Sequence, residues 1–519
     1  MNMTTVLTLV LIIIFFAVMI TIGIRTRRHA RSVAGFVLGS RSVGPWLSAF
    51  AFGTSYFSAV IFVGYAGQFG WNFGIASTWI GLGNAFIGSL LAWLILGRRT
   101  RIMTQHLDSR TMPDFFGSRF GSQRLRVAAS VITFVFLIPY TASLYNGLSR
   151  LFAIAFPGLD YAVCVVVMAV LTCVYVVLGG YMATATNDFI QGCIMLIGIV
   201  AVILAVLHDN GGLNAAMETL ATGENGGWQY TAFLGADPGF LFFVIMLTSL
   251  GTWGLPQMVG KFYAITNEDA IKKGTVISTF FALIVAGGCY FLGGFGRLYD
   301  IDVEAEGFDA VIPSMLSTVS PIIIGIIIVL VLSASMSTLS SLVLTSSSTI
   351  TLDFIGPLKK NPIDERKKVV IMRVFIVIFV IISAIIAIKQ AHAKSLFIAQ
   401  MMGISWGALA GSFLAPFLYG LYTKHVSKVA VACCFIWATC LEILQLFISL
   451  GMLDVSGSAL LGFVFRNSLY SGVFAMVGGL IIVPIVTALS TRAIPKNTDE
   501  IFSCYESKRT VGITDNLGK

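Results

Sequence analysis

Of 519 residues, 57% are hydrophobic and 11% charged, and the mean hydropathy is +0.90. Water-soluble domains carry about 25% charge, so the chain is read as an integral membrane protein. The formal net charge of +9 raises the question of nucleic-acid binding, and the placement of the charges answers it in the negative.

Thirteen apolar spans are long enough to cross about 30 Å of hydrocarbon. They lie near 5–24, 44–69, 73–96, 126–156, 160–179, 186–208, 239–263, 274–296, 318–350, 368–388, 395–421, 428–451 and 470–490. The first has no cationic leader and is too long for a signal core. Arg25, Arg27, Arg28 and Arg31 follow it, which predicts an uncleaved helix with its N-terminus outside. Alternating from there, the inside segments hold 28 of the 33 Lys and Arg residues, a strong positive-inside bias. The long outside loop 209–238 has no Lys or Arg, and 300–309 is acidic. The basic excess is therefore topological, and the C-terminus falls inside. Seven of the eight cysteines sit in apolar runs without CxxC spacing, so they read as small core residues.

The second and seventh spans are interrupted, by Gly53-Thr54-Ser55-Tyr56-Phe57-Ser58 and by Gly251-Thr252-Trp253-Gly254-Leu255-Pro256. Five spans apart, they run in opposite directions through the membrane. Matched breaks in oppositely oriented halves are the mark of an inverted-repeat secondary transporter, with unwound carbonyls available to a cation. Between them, the inside loop 98–126 carries Thr111-Met112-Pro113-Asp114, a helix start with Thr as cap and Pro in the first turn. Residues 333–351, SASMSTLSSLVLTSSSTIT, continue an apolar run, yet twelve of the nineteen carry a hydroxyl. Ala334, Ser337, Thr338 and Ser341 share one helical face. Neutral oxygens at membrane depth face a bundle interior or a watery cavity, and they suit a monovalent cation better than calcium. The competing reading is close helix packing, with hydroxyls bonded back to their own helix. The tail 491–519 is short and polar and is expected to be mobile.

These residues resemble the sodium/solute symporter family of proline, pantothenate, sialic acid and glucose carriers. The resemblance rests on Ala334-Ser335-Met336-Ser337-Thr338-Leu339-Ser340-Ser341, on Gly179-Gly180-Tyr181-Met182-Ala183 with Asp188 and Gln191, on Thr111-Met112-Pro113-Asp114-Phe115-Phe116 with Arg119-Phe120-Gly121, and on Leu255-Pro256-Gln257. It covers about residues 35–450. It implies an all-α polytopic membrane protein of the leucine-transporter type: a five-plus-five inverted repeat (44–208 and 239–421), a leading helix with a basic inside loop (1–34), two trailing helices of which the second is 451–490, and a cytoplasmic tail. It also implies a sodium site made by the carbonyls of Thr54, Phe57 and Ala334 with the hydroxyls of Ser337 and Thr338. A second sodium site would use Asp188, Ser340 and Ser341, unless Asp188 only caps its helix.

For the solute, Tyr56, Ser58 and Gln68 are candidate pocket residues from the first interrupted span, and Thr252, Trp253 and Gln257 from the other. The proline branch has an acidic residue near Tyr56 and the sugar branch a Glu-Gln pair after Thr54. This chain has Ser55-Tyr56 there, so neither substrate carries over. No Arg or Lys sits in the middle of a core span, so no buried cation is expected to meet a solute carboxylate. The implied activity is sodium-coupled symport of a small polar organic solute (amino acid, carboxylate or sugar-like) into the cell across the plasma membrane by alternating access. A proton symporter with Asp188 as carrier is the nearest rival. A sensor would carry a larger signalling domain, and a channel does not call for paired breaks. An enzyme is not expected: the five histidines lie near span ends or in loops, without HExxH or GxSxG patterns. The expected partners are the solute, Na+ as coupling ion and lipid, with no organic cofactor and no nucleic acid; a monomer is the expected state.

Overall fold

In the computed structural model, residues 3–156, 158–317, 319–359, 361–393, 398–455 and 457–506 are described. The leading helix is α1 (Met3–Thr26). The first half of the molecule continues with α2 (Pro45–Tyr56), α3 (Val60–His106), α4 (Gln123–Ala155) and α5 (Tyr161–Asp209). The second half has α6 (Pro238–Gly254), α7 (Pro256–Tyr263), α8 (Glu268–Gly293), α9 (Pro321–Thr349), α10 (Glu365–Ala393) and α11 (Ile398–Tyr422). Then come α12 (Lys428–Ser449), α13 (Ser468–Leu489) and α14 (Thr498–Glu506). Among the described residues the one β-bridge joins Val43 and Ile265.

Among the described residues ten helices can cross a membrane by length and composition, or eleven with the bent pair α6–α7 counted as one span. Thirteen spans were expected, and the difference lies in two long runs. At 47 and 49 residues, α3 and α5 are each more than twice the roughly 20 residues a crossing needs. Both turn at a glycine: Gly74 has φ 60° and Gly180 has φ 55° with ψ −148°. A side chain at Gly180 would also press within 2.9 Å of the Phe36 carbonyl oxygen, so the turn needs glycine for space as well as for φ.

Burial separates the core from the lipid-facing rim. The apolar stretch of α11 is 94% buried and that of the run containing α9 is 72% buried, against 28% for α1. The oxygen-rich α9 packs against α1, α2, α4, α5 and α10, so its hydroxyls point into protein rather than lipid. α3 and α8 meet backbone to backbone. A Cβ on Gly70 would lie 2.0 Å from the Gly293 carbonyl oxygen.

The Thr111 cap forms as expected, accepting from the Asp114 N–H at 3.1 Å at the start of Met112–Arg119. The expected mobile tail is corrected over 498–506. There α14 docks on the inner ends of α3 and α11 through Lys424–Asp499 at 2.8 Å. Arg99 also lies against both Tyr422 and Tyr505, at 4.1 and 4.7 Å from the ring centres. Residues 507–519 lie outside the described residues.

Candidate functional site

Helix α2 stops at Tyr56 because Phe57 is extended (φ −83°, ψ 123°), and the chain turns helical again at Val60. Ending a helix leaves its last carbonyls without i+4 donors. Two of the carbonyls at this break meet α9. Thr338 Oγ1 lies 3.2 Å from the Thr54 oxygen, 3.2 Å from that of Phe57 and 3.1 Å from that of Ala334. Ser337 Oγ lies 3.2 Å from the Thr54 oxygen and 3.1 Å from that of Ala334. Thr54, Ala334, Ser337 and Thr338 are fully buried, and Phe57 is 1% exposed. Each hydroxyl has one proton to give, so the cluster holds more acceptor oxygens than protons. Five uncharged oxygens from the α2 break and α9 cluster within hydrogen-bond distance of one another, a donor set that fits a small monovalent cation.

One helical turn further along α9 the arrangement differs from expectation. Ser341 Oγ pairs with Ser55 Oγ at 2.7 Å and accepts from the Lys261 ammonium at 3.0 Å. The same ammonium stands 3.6 Å from Asp188 Oδ2. Ser340 donates to the Ser337 carbonyl of its own helix at 2.8 Å. Two expectations are corrected here. Asp188 does not cap a helix: it lies inside α5, eight residues past the Gly180 turn, fully buried. Lys261, at the end of the span expected over 239–263, is 4% exposed within α7, so a buried cation does stand in the core. Its i+4 spacing from Gln257, on the same helical face, was the available signal.

The solute candidates divide as well. The Tyr56 ring lies 5.8 Å from Trp406 of α11, which in turn lies 6.0 Å edge-on from Tyr140 of α4. The hydroxyls of Tyr56, Ser58 and Tyr140 and the Trp406 indole N–H are all buried without a well-formed hydrogen bond, Tyr140 facing Ser58 and Trp406, and Tyr56 facing Tyr290. Buried polar groups normally find good partners, so this loosely paired polar cluster beside the helix break is the candidate place for a polar guest. Tyr140 and Trp406 were missed in the sequence because single aromatics in apolar spans usually pack. The Trp253 indole is committed elsewhere, donating to the Ile87 carbonyl at 3.0 Å, whereas Thr252, whose hydroxyl bonds back to the Ser249 carbonyl at 2.8 Å, lines with Tyr56 a cavity of about 10 Å³. Gln68 is placed on α3 about three turns beyond the break, away from both clusters. Gln257 instead lines an inner cavity of about 40 Å³ with Lys261, Ser341, Thr345 and Ser348.

Ion pairs gather three elements at the end of the molecule that carries Thr111. Arg126 bridges Asp114 at 3.0 Å and Asp353 at 2.8 Å, and the Thr111 hydroxyl also donates to Asp353. Burial pushes the Asp114 carboxyl above its ordinary pKa, and Arg126 draws it back down.

Paired helix breaks, an uncharged oxygen cluster between α2 and α9 and a buried polar cluster beside it are the features of a cation-coupled secondary transporter. A family model described as the sodium:solute symporter family matches residues 36–434, and the chain belongs to that family. The sodium/proline symporter of Staphylococcus aureus is 28% identical over 435 residues, covering 81% of this chain and 82% of that protein. Sodium/proline symporter 2 of Staphylococcus saprophyticus is 28% identical over 436 residues with the same coverage. Two solved structures share the fold. One is a Na+-coupled sialic acid symporter in a substrate-bound outward-open state, with 17% identity, a TM-score of 0.74 and coverage of 93% of this chain and 98% of that one. The other is a nucleobase-cation-symport-1 family transporter, with 13% identity, a TM-score of 0.51 and coverage of 92% and 99%.

Proposed function

We propose that the protein carries a small polar organic solute into the cell with sodium, which binds the carbonyls of Thr54, Phe57 and Ala334 and the hydroxyls of Ser337 and Thr338. The observation that carries this reading is the convergence of those five buried oxygens, short of protons, at the helix break. Sodium there ties α2 to α9 and so fixes the shape of the adjoining pocket. The solute binds beside Tyr56 and Ser58, within reach of Tyr140 and Trp406, whose buried polar atoms are only loosely paired with one another. The names of the staphylococcal relatives support a solute of amino-acid size, and a half-helix N-terminus at the second break suits an anionic group. With both ligands bound, the bundle rocks and the inner ion pairs part. Sodium entry down the membrane potential supplies about 2.3 kcal/mol per charge per 100 mV, which drives uptake. The N-terminus is placed outside and the C-terminus in the cytoplasm, on the positive-inside distribution of charge.

Uptake of labelled amino acids, carboxylates and sugars into proteoliposomes, with and without an inward sodium gradient, tests the reading. One solute should accumulate only with the gradient. Accumulation driven equally by a proton gradient in sodium-free buffer would overturn it.

A further inference from the structure

A cation already stands where the resemblance puts a second sodium. Asp188 is fully buried, and the described ion-pair partner of its carboxylate is the ammonium of Lys261, 3.6 Å away. The same nitrogen donates to Ser341 at 3.0 Å. A carboxylate and a hydroxyl facing one point would hold a sodium ion in a chain that had no lysine there. We propose that Lys261 is a tethered substitute for that ion, so that this transporter moves a single sodium per cycle. The inference rests on sodium binding at the Thr54–Thr338 cluster.

Three observations support it. The pair is neutral as a unit, so a sodium ion beside Asp188 would meet an ammonium at contact distance with no unbalanced carboxylate to repay the repulsion. The tether also competes on favourable terms: Lys261 sits on α7, directly against Ser341, and a covalently attached cation acts at a high effective concentration. Finally, the proton order matches an ammonium. Ser55 Oγ lies 2.6 Å from the Ala51 carbonyl, to which it donates. Its partner Ser341, 2.7 Å away, must then spend its one proton on Ser55. That leaves Ser341 an acceptor toward Lys261, a group that only donates. The chain ends on Ser55, next to Thr54, whose carbonyl belongs to the proposed sodium cluster. Lys261 thus keeps that part of α2 in place without an exchangeable ion.

The test counts bound ions and needs no knowledge of the solute. Purified protein in nanodiscs is saturated with radioactive sodium, and the ions held per molecule are counted. Wild type should hold one. Lys261→Ala clears the ammonium from beside Asp188 and should hold two, and its sodium titration should become cooperative. Adding Asp188→Asn to Lys261→Ala should return the count to one. Two ions on wild type would overturn the proposal even if the variants fail to fold. So would a Lys261→Ala protein with an unchanged melting profile that still holds one. No sodium on wild type would instead remove the cluster reading on which the proposal rests.

Discussion

Thr338 has one proton and three carbonyl oxygens within 3.2 Å, and that imbalance makes it the most informative side chain to change. Ser337→Ala and Thr338→Val each delete one oxygen with little change in volume. If the cluster binds sodium, losing a ligand should raise the sodium concentration for half-maximal uptake about tenfold, the equivalent of about 1.4 kcal/mol. Sodium titrations at matched membrane expression check this; wild-type curves for both variants would reduce the cluster to helix packing. The two tryptophans make a second contrast. Trp406→Phe removes a buried N–H that faces the Tyr140 hydroxyl and should weaken solute affinity while leaving sodium binding intact. Trp253→Phe breaks a bond to the Ile87 carbonyl and should lower thermal stability by about 1 kcal/mol with little effect on solute affinity. Reversed outcomes would move the pocket from α11 toward α6.

Among elements, Arg126 ties three parts of one end of the molecule together. It comes from α4, Asp114 from the short helix capped by Thr111, and Asp353 from the π-helical continuation of α9. Arg126→Gln leaves Asp353 with no side-chain exposure and without its ion-pair partner, so the closed inner face should give way. Ser348 borders the inner cavity and is 2% exposed, which makes a cysteine there a reporter. Its labelling by a membrane-permeant thiol reagent should quicken about tenfold in Arg126→Gln for each 1.4 kcal/mol taken from the closed form. An unchanged rate would mean the ion pairs do not hold the gate. Element by element, the sequence was a good guide where the backbone itself carried the signal. Both helix breaks, the Thr111 cap and the hydroxyl-rich helix could be read because Gly, Pro and Ser mark backbone geometry and polarity locally. Lys261 was harder. Its spacing from Gln257 placed both on one face, but a lysine there also looks like a helix end reaching water, and only the contacts with Asp188 of α5 and Ser341 of α9 show that it turns inward. Tyr140 and Trp406 were hidden for the same reason: their value lies in the neighbours that the fold brings to them.

At the scale of the whole molecule, charge sets the direction of insertion, and this is open to a direct test. Cysteines placed in 209–238 and 300–309 should react with an impermeant reagent from outside intact cells, and one in 359–368 should not. Labelling of the last would invert the assigned orientation. Motion is the other whole-molecule property, and here the contact of Gly70 with Gly293 has a mechanical consequence. Two backbones with no room for a methyl group between them cannot slide, because any shift would drive a carbonyl into the opposing chain. α3 and α8 therefore behave as one stiff lever. Where α2 faces α9 the surfaces meet instead through hydroxyls, whose protons swing between several nearby acceptors at little cost. The protein thus has a welded joint on one side of its broken helix and a lubricated bearing on the other. Travel during a transport cycle should be concentrated at the bearing, where the proposed ion binds.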